Sequence, residues 1–440
     1  MDLTSSILIF DIGKTNKKYF VLDESYKIID ESSVRITETI DEDGFPSEDI
    51  HTLIAWLEYS FKDVITRFDK KINAVNFSAY GASLVHVDAA LNPVAPLYNY
   101  LKPYPEKLKQ ALHAAYGGEE AFSLSTSSPS LGSLNSGLQL YRLKKIQPEL
   151  FEKINFSLHL PQYLSSRFSR EAYSEITSLG CHTALWDFSK NNYHNWVTEN
   201  NIIQKLAPLL QAGSCFTKIF HDHLIKVGIG LHDSSAALLT YLHLFPEPFL
   251  LLSTGTWSIS LNPFNDQPLT HEELRQDCLC YLTDNGNAVK ASRLFAGKWH
   301  EEMVIKMALH FQLKPEYFSE IKYRPEILKQ PTGEMDLNQY SSAEEAYHHF
   351  MYQLVKLQAA SSKLALGKTN ITNIYVDGGF SKNELFMYLM AEFFPTKNMY
   401  AASVAQASAF GAAMVIHKMW NNTPLPYNLV KLHHYKVKKR

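Results

Sequence analysis

Two stretches about half a chain apart each break an apolar run with glycine and small hydroxyl residues and then resume it. The first is Ile7-Leu8-Ile9-Phe10, then Asp11-Ile12-Gly13-Lys14-Thr15-Asn16, then Lys17-Lys18-Tyr19-Phe20-Val21-Leu22-Asp23. The second is Phe249-Leu250-Leu251-Leu252, then Ser253-Thr254-Gly255-Thr256, then Trp257-Ser258-Ile259-Ser260-Leu261. Each predicts a buried strand, a tight turn and a second strand. With the glycines at 13 and 255, the pattern predicts two halves that open with the same hairpin.

A third apolar run, Ile374-Tyr375-Val376-Asp377-Gly378-Gly379, ends in a glycine pair and is followed by a helix start at Ser381-Lys382-Asn383-Glu384. Apolar residues at 3–4 spacing predict helices over 50–68, 346–366 and 383–394, and residues 233–244 predict a helix that opens on Ser234 and Ser235. Residues 73–96 read as strand, turn and strand, leading into Leu97-Tyr98-Asn99-Tyr100. Strand and helix signals alternate, which predicts α/β architecture. At ~100–200 residues per domain, the 440 residues suit two domains. The glycine-bearing stretch between Lys218 and Gly230 is the expected boundary, giving domains 1–226 and 227–440. The Ser-rich run 123–136 reads as a surface loop.

Lys plus Arg number 42 against 45 Asp plus Glu, a net charge of −3, which gives no electrostatic basis for nucleic acid as the main partner. No apolar run reaches the ~18–20 residues that span a bilayer, and Ile7–Phe10 is too short for a signal-peptide core. The cysteines at 181, 215, 278 and 280 form neither a disulfide framework nor a zinc spacing. Reduced thiols and a cytoplasmic location are expected. The C-terminal run from His433 to Arg440 reads as a solvated basic tail.

Backbone N–H groups in a tight turn form a concave nest for anions, threonine hydroxyls add donors, and glycine lets a phosphate approach the backbone. Either hairpin alone is commonplace. Two in one chain, with the Asp377-Gly378-Gly379 turn, predict a grip on one phosphate chain from both sides, with Lys14, Lys17 or Lys18 supplying positive charge. The chain has no P-loop, no protein-kinase glycine-rich loop and no zinc-binding H-E-x-x-H. His221 and His223 lack a matching ligand cluster and read as solvated loop residues. In Gly230-Leu231-His232-Asp233-Ser234-Ser235, Asp233 stands where an extended segment enters a helix, a place that suits an N-cap as well as a reactive carboxylate.

Taken together, the segments resemble the FGGY carbohydrate kinases of the actin/hexokinase/heat-shock-protein-70 superfamily, from residue 7 to about 415. Asp11-Ile12-Gly13-Lys14-Thr15-Asn16-Lys17-Lys18 resembles the first phosphate motif, and Gly230–Ala236 the segment with the catalytic aspartate. Ser253-Thr254-Gly255-Thr256-Trp257-Ser258 is similar to the second phosphate motif as found in rhamnulose kinases. Phe295-Ala296-Gly297-Lys298-Trp299 resembles the Gly-x-Trp segment, Asp377–Asn383 the adenosine motif, and Gln406–Ala413 the closing Ala/Gly helix.

The resemblance implies an α/β fold of two actin-like (ribonuclease H-like) domains with an interdomain cleft, the sugar mainly on the first and ATP on the second. It implies Asp233 as catalytic base toward a sugar hydroxyl. Asp11, Gly13, Thr15, Lys18, Thr254, Gly255, Thr256, Gly297, Gly378, Gly379 and Asn383 would bind ATP, and Asp11 and Asp233 would place Mg²⁺ through water. Tyr80, Gly81, Tyr98, His232 and Asp233 would meet the sugar. A carboxylate of ordinary pKa, ~4, would orient the alcohol more than deprotonate it.

Departures from the family pattern are also visible. Tyr98-Asn99-Tyr100 lacks the Arg and Asp of rhamnulose kinases, Ser83 replaces a carboxylate, and Lys14 replaces a small residue. Phe380 follows the glycine pair where a small residue is usual, and is expected either to stack on adenine or to narrow the pocket. The rhamnulose/fuculose branch is the nearest by motif. A homodimer is left open. The rival readings are an actin-like sugar or nucleotide sensor without transfer activity and, last, a chaperone-like ATPase, which sugar-dependent ADP release separates from a kinase.

Overall fold

The computed structural model describes residues 5–328, 335–404 and 406–437. Residues 438–440, the end of the tail expected to be solvated, lie outside the described residues.

Each predicted hairpin forms and is part of a seven-stranded sheet. In the first, Ser6–Ile12 pairs antiparallel with Lys17–Asp23 and parallel with Ile72–Ala79. In the second, Phe249–Thr254 pairs antiparallel with Ser258–Asn262 and parallel with Asn373–Gly378. In both sheets the second hairpin strand pairs antiparallel with a third, Ile28–Val34 and Ala288–Leu294 respectively. This is the duplicated core that the glycine spacing predicts.

A strand with helices on both faces must be apolar at every position, which is why these runs do not alternate. Leu8, Phe10 and Ile12 pack with the helix Ile50–Phe68, while Ile7 and Ile9 face the opposite layer. Phe249 and Leu251 share that opposite layer with Ile7 and Ile9. Between the two sheets run the helices Asp233–Leu244 and Ala407–Met414. Their crossing is so close that a Cβ on Gly411 would sit 1.7 Å from the Ala236 carbonyl oxygen. Leu250 and Leu252 look the other way, into the core built on Ala343–Leu366 and Glu384–Phe393.

The cut at 226 does not survive. The strand His223–Gly228 runs through it as part of the first sheet, and Leu231–His232 also pairs with Ile72–Ala79. Gly228 is a packing glycine rather than a linker: a Cβ there would meet Asn76 Oδ1 at 2.4 Å. Gly230 has φ +81° and lies against Pro161, a backbone conformation open chiefly to glycine.

The Ser-rich run is not a surface loop. Ser123, Thr126, Ser127 and Ser128 are buried, and the Ser127 carbonyl accepts from the Cys280 N–H of the second sheet at 2.8 Å. The C-terminal tail is exposed as expected at His433 and His434, but it also forms the edge strand Lys431–Tyr435. His223 is a strand residue bonded to the Ile72 carbonyl. The C-terminal segment also returns to the first hairpin. Ser5 Oγ donates to the Trp420 carbonyl, Tyr26 O–H meets His417 Nδ1 at 2.8 Å, and Asn421 Nδ2 donates to the Glu24 carbonyl at 2.8 Å. All four cysteines are free, and no helix among the described residues is long and apolar enough to cross a membrane.

Candidate active site

In both hairpin turns the glycine N–H closes onto a carbonyl further along the turn, three residues on in the first and two in the second. Gly13 N–H donates to the Asn16 carbonyl at 3.0 Å and Gly255 N–H to the Trp257 carbonyl at 2.9 Å. Thr15, Gly255 and Thr256 are exposed at the turns, as an anion nest requires. Thr254 is not free for a phosphate. Its hydroxyl donates to the Asp377 carbonyl and accepts from Phe380 N–H at 3.0 Å, tying the second hairpin to the glycine pair.

Glycine is obligatory where these loops stack. A Cβ on Gly378, which has φ +86°, would lie 1.9 Å from the Thr254 carbonyl oxygen. A Cβ on Gly297 would lie 1.9 Å from the Gly255 carbonyl oxygen. Beside this floor opens a cavity of about 300 Å³ lined by Gly255, Gly297, His300, Gly379, Phe380 and Asn383. Asn383 caps the helix Glu384–Phe393 by accepting from Phe386 N–H, and its Nδ2 donates to Tyr347 O–H at 2.7 Å. His300 Nε2 lies 2.9 Å from the same hydroxyl. Phe380 stacks on Phe386, with centroids 4.4 Å apart, and meets His300 edge-on, so it forms a wall of the cavity. His300 and Tyr347 were not expected from the sequence. Tyr347 sits in the apolar stripe of a long helix, where nothing local marks it; His300 follows the Gly-Lys-Trp segment by one residue.

Asp11 and Lys18 are cross-strand partners in the first hairpin. Ser408 Oγ donates to Asp11 Oδ2 at 2.9 Å. Burial pushes the Asp11 carboxyl up to about 6, the nearby Asp233 charge adds to this, and Ser408 and Lys18 oppose it. Lys14 and Lys17 are already engaged and do not stand free for a phosphate. Lys14 Nζ lies 2.5 Å from Glu38 Oε1, and the buried Lys17 Nζ lies 2.6 Å from Glu48 Oε1.

Asp233 opens its helix just beyond Leu231–His232, whose residues pair with Ser78 and Ala79. Asp11 pairs with Ser78 from the other side. The register thus brings Asp11 and Asp233 together at the C-terminal ends of parallel strands, where open α/β sheets form their ligand crevices. Asp233 Oδ1 accepts from Ser234 N–H at 2.6 Å and Ser234 Oγ at 3.2 Å, and lies 3.2 Å from His232 Nε2. Burial raises Asp233 to about 6, above the ordinary carboxylate expected from its type. Burial lowers His232 to about 3, so the imidazole is neutral at physiological pH.

His232 is not a surface for sugar. It is buried, and its Nδ1 lies 3.2 Å from Ser235 Oγ and its Nε2 3.0 Å from Cys181 Sγ. Gly81 is its backing: a Cβ there would meet Cys181 Sγ at 2.9 Å and His232 Nε2 at 3.0 Å. Tyr80 donates to Glu48 Oε2 at 3.2 Å and meets Tyr100 edge-on. Burial raises the Tyr100 hydroxyl, and its ring contact with Tyr80 sets it near Lys14, whose Nζ lies 5.8 Å from the centre of the Tyr80 ring. Tyr98, two residues earlier, points elsewhere. It is buried between Lys102 and Arg142 and donates to Glu42 Oε1 at 2.6 Å.

Residues 6–240 match the N-terminal domain of the FGGY family of carbohydrate kinases, and residues 246–424 match the carbohydrate kinase FGGY C-terminal domain. The chain belongs to this family. These bounds agree with the sheets in placing the division after residue 228. Among solved structures, this FGGY kinase resembles a carbohydrate kinase from Novosphingobium aromaticivorans with 23% identity and TM-score 0.79, covering 99% of this chain and 94% of that one. It resembles a gluconate kinase from Lactobacillus acidophilus with 14% identity, TM-score 0.80 and the same coverage. A glycerol kinase from Plasmodium falciparum aligns at 16% identity and TM-score 0.76, over 94% of this chain and 90% of that one. No curated protein matches the sequence.

Proposed function

We propose that this FGGY kinase transfers the terminal phosphoryl group of ATP to a hydroxyl of a ketose or related sugar, with Asp233 as base. The observation that carries this reading is the state of the Asp233 carboxylate. Its Oδ1 is committed to Ser234 and faces His232, which leaves Oδ2 for the acceptor, and burial holds its pKa near 6. The acceptor oxygen forms a bond to the terminal phosphorus, the bond to the bridging oxygen of ADP breaks, and the acceptor proton passes to Asp233 Oδ2. A base whose pKa approaches the working pH serves such a transfer better than an ordinary carboxylate.

The exposed turn residues Thr15, Gly255 and Thr256 line the path of the phosphates, Gly13 and Gly255 closing those turns through their own N–H groups, with Lys18 adding charge beside Asp11. Thr254 acts through the loop it fixes. The cavity beside Gly297, Gly379 and Asn383 takes the nucleoside. Among the described residues no group of three or more His, Cys, Asp and Glu forms a metal cage. The pair Asp11 and Asp233 suits a hydrated hard dication whose other ligands are phosphate oxygens. When bound, Mg²⁺ would neutralise charge on those oxygens, with Asp11 and Asp233 holding it through water.

Within the family we place the chain nearest the rhamnulose/fuculose branch, on Thr254-Gly255-Thr256-Trp257 and His232-Asp233. Sugar-dependent ADP release across ketoses, aldoses and polyols tests the whole reading. Release with a ketose is expected; none with any acceptor would favour a sensor.

A further inference from the structure

Three side chains from separate elements meet at the cavity beside the glycine pair. Asn383 stands before the helix Glu384–Phe393, Tyr347 comes from Ala343–Leu366, and His300 comes from the helix Ala296–Phe311. Their protons can be assigned one after another. Asn383 Oδ1 accepts from Phe386 N–H at 2.9 Å, which fixes the amide and turns Nδ2 toward Tyr347. An amide nitrogen only donates, so the Tyr347 hydroxyl accepts there at 2.7 Å. Tyr347 is buried, and among the described residues its own proton has His300 Nε2, at 2.9 Å, as acceptor. Burial lowers His300 to about 4, so the neutral ring carries one proton, and the network assigns it to Nδ1. Nδ1 has no partner among the described residues and is not sealed from solvent. Of the polar atoms of the ring, it is the one left for a molecule in the cavity that His300 lines.

We infer that His300 reads the base of the nucleotide, donating from Nδ1 to a ring nitrogen of the purine, and that Tyr347 and Asn383 are positioning residues that hold it in this tautomer. It rests on the kinase reading, with the cavity as the seat of the nucleoside. The imidazole is held in place as well as in protonation state. It meets Phe380 edge-on at 5.3 Å and packs on Phe350 at 6.2 Å, centre to centre. Turning the ring over would break its bond to Tyr347 and leave a buried hydroxyl without an acceptor, a costly exchange. A donor fixed in this way tells nitrogen from carbon: where the facing ring atom is C–H, the N–H is desolvated and gains nothing in return. Asn383, expected from the sequence to bind the nucleotide, thus acts on it through the relay that aims His300.

Titration calorimetry with ATP and its 1-deaza, 3-deaza and 7-deaza analogues tests this without any transfer step. On the wild-type chain one analogue should bind roughly tenfold more weakly than ATP. His300→Phe should bring that analogue to within about twofold of ATP. His300→Asn, which keeps an N–H near the place of Nδ1, should retain most of the penalty, and Tyr347→Phe, which removes the hydroxyl of the relay, should lose part of it. All three analogues within about twofold of ATP on the wild-type chain, or an undiminished penalty in His300→Phe, would overturn the inference. A penalty seen instead with 2′- or 3′-deoxy-ATP and lost in His300→Phe would move His300 to the ribose and overturn it too. A wild-type chain that binds no ATP would overturn the kinase reading itself. Thermal unfolding checks the variants; where His300→Phe does not fold, the contrast between His300→Asn and Tyr347→Phe decides.

Discussion

His232 Nε2 lies 3.2 Å from Asp233 Oδ1, with Ser235 Oγ facing the other ring nitrogen. Burial keeps the imidazole neutral, so it carries one proton. If Ser235 donates to Nδ1, that proton sits on Nε2, which lies 3.0 Å from Cys181 Sγ as well as beside the Asp233 carboxylate. His232 then orients Asp233 without touching the sugar. His232→Leu should lower kcat by roughly 10- to 100-fold, the value of a hydrogen bond to a charged group, with acceptor KM little changed. His232→Gln, which keeps an N–H near the same place, should recover most of the loss. Equal defects in the two variants would reduce His232 to packing.

Asp233→Asn should reduce kcat by roughly 10²- to 10⁴-fold, the usual contribution of a positioned base. ATP binding should stay within a few fold, because the nucleotide floor is made by other loops. Near-normal turnover in this variant would remove Asp233 from the role of base.

The acid limb of the pH–rate profile should lie near pH 6, since burial raises both Asp233 and Asp11 to about 6. Activity is expected to climb through that region as Asp233 loses its proton, and a limb near pH 4 would contradict the burial argument. The stability effect has the opposite sign. A carboxyl that holds its proton more tightly when folded destabilises the fold as pH rises from its unfolded value, ~3.9, toward 6. Asp11→Asn should therefore raise the melting temperature at pH 7.5 and lose that advantage near pH 4, while abolishing transfer.

The adjacent glycines at 378 and 379 separate geometry from mere smallness. Gly378→Ala forces a Cβ to within 1.9 Å of the Thr254 carbonyl at φ +86°. It should cost about 1–3 kcal/mol or more and raise the KM for ATP. Gly379 has nothing within 4 Å of the added atom, so Gly379→Ala should be mild in urea unfolding. Comparable losses at the two positions would show that the loop is not held as described.

Much of this was legible because the signals were local. The helix Ile50–Phe68 has the bounds its periodicity predicts, both hairpins form, and Asp233 opens its helix. The errors share a cause: residue types whose meaning depends on distant partners. Gly228 and Gly230 look like a linker until Asn76 and Pro161 are seen beside them. The serines at 123–128 look solvated, but Thr126 Oγ1 and Ser125 Oγ both donate to the Phe122 carbonyl, so the run can be buried. Lys14 and Lys17 look like phosphate ligands until Glu38 and Glu48, more than twenty residues on, take their charge. Tyr98 and Tyr100 read alike in sequence, but Tyr98 ends a short strand and packs on Lys102 and Arg142, whereas Tyr100 lies in the following turn and packs on Tyr80.

The return of the C-terminal segment to the first hairpin has a consequence for synthesis. Ser5, Glu24 and Tyr26 find their partners at Trp420, Asn421 and His417, and Asn76 donates to the Ala412 carbonyl from the middle of the first sheet. One face of the N-terminal sheet therefore lacks its covering helix until nearly the whole chain has left the ribosome. At ~5–20 residues per second that exposure lasts for tens of seconds. A nascent chain arrested shortly before residue 407 should expose the apolar side chains of Ile7 and Ile9 to chaperones, even though the first family domain is already complete in sequence.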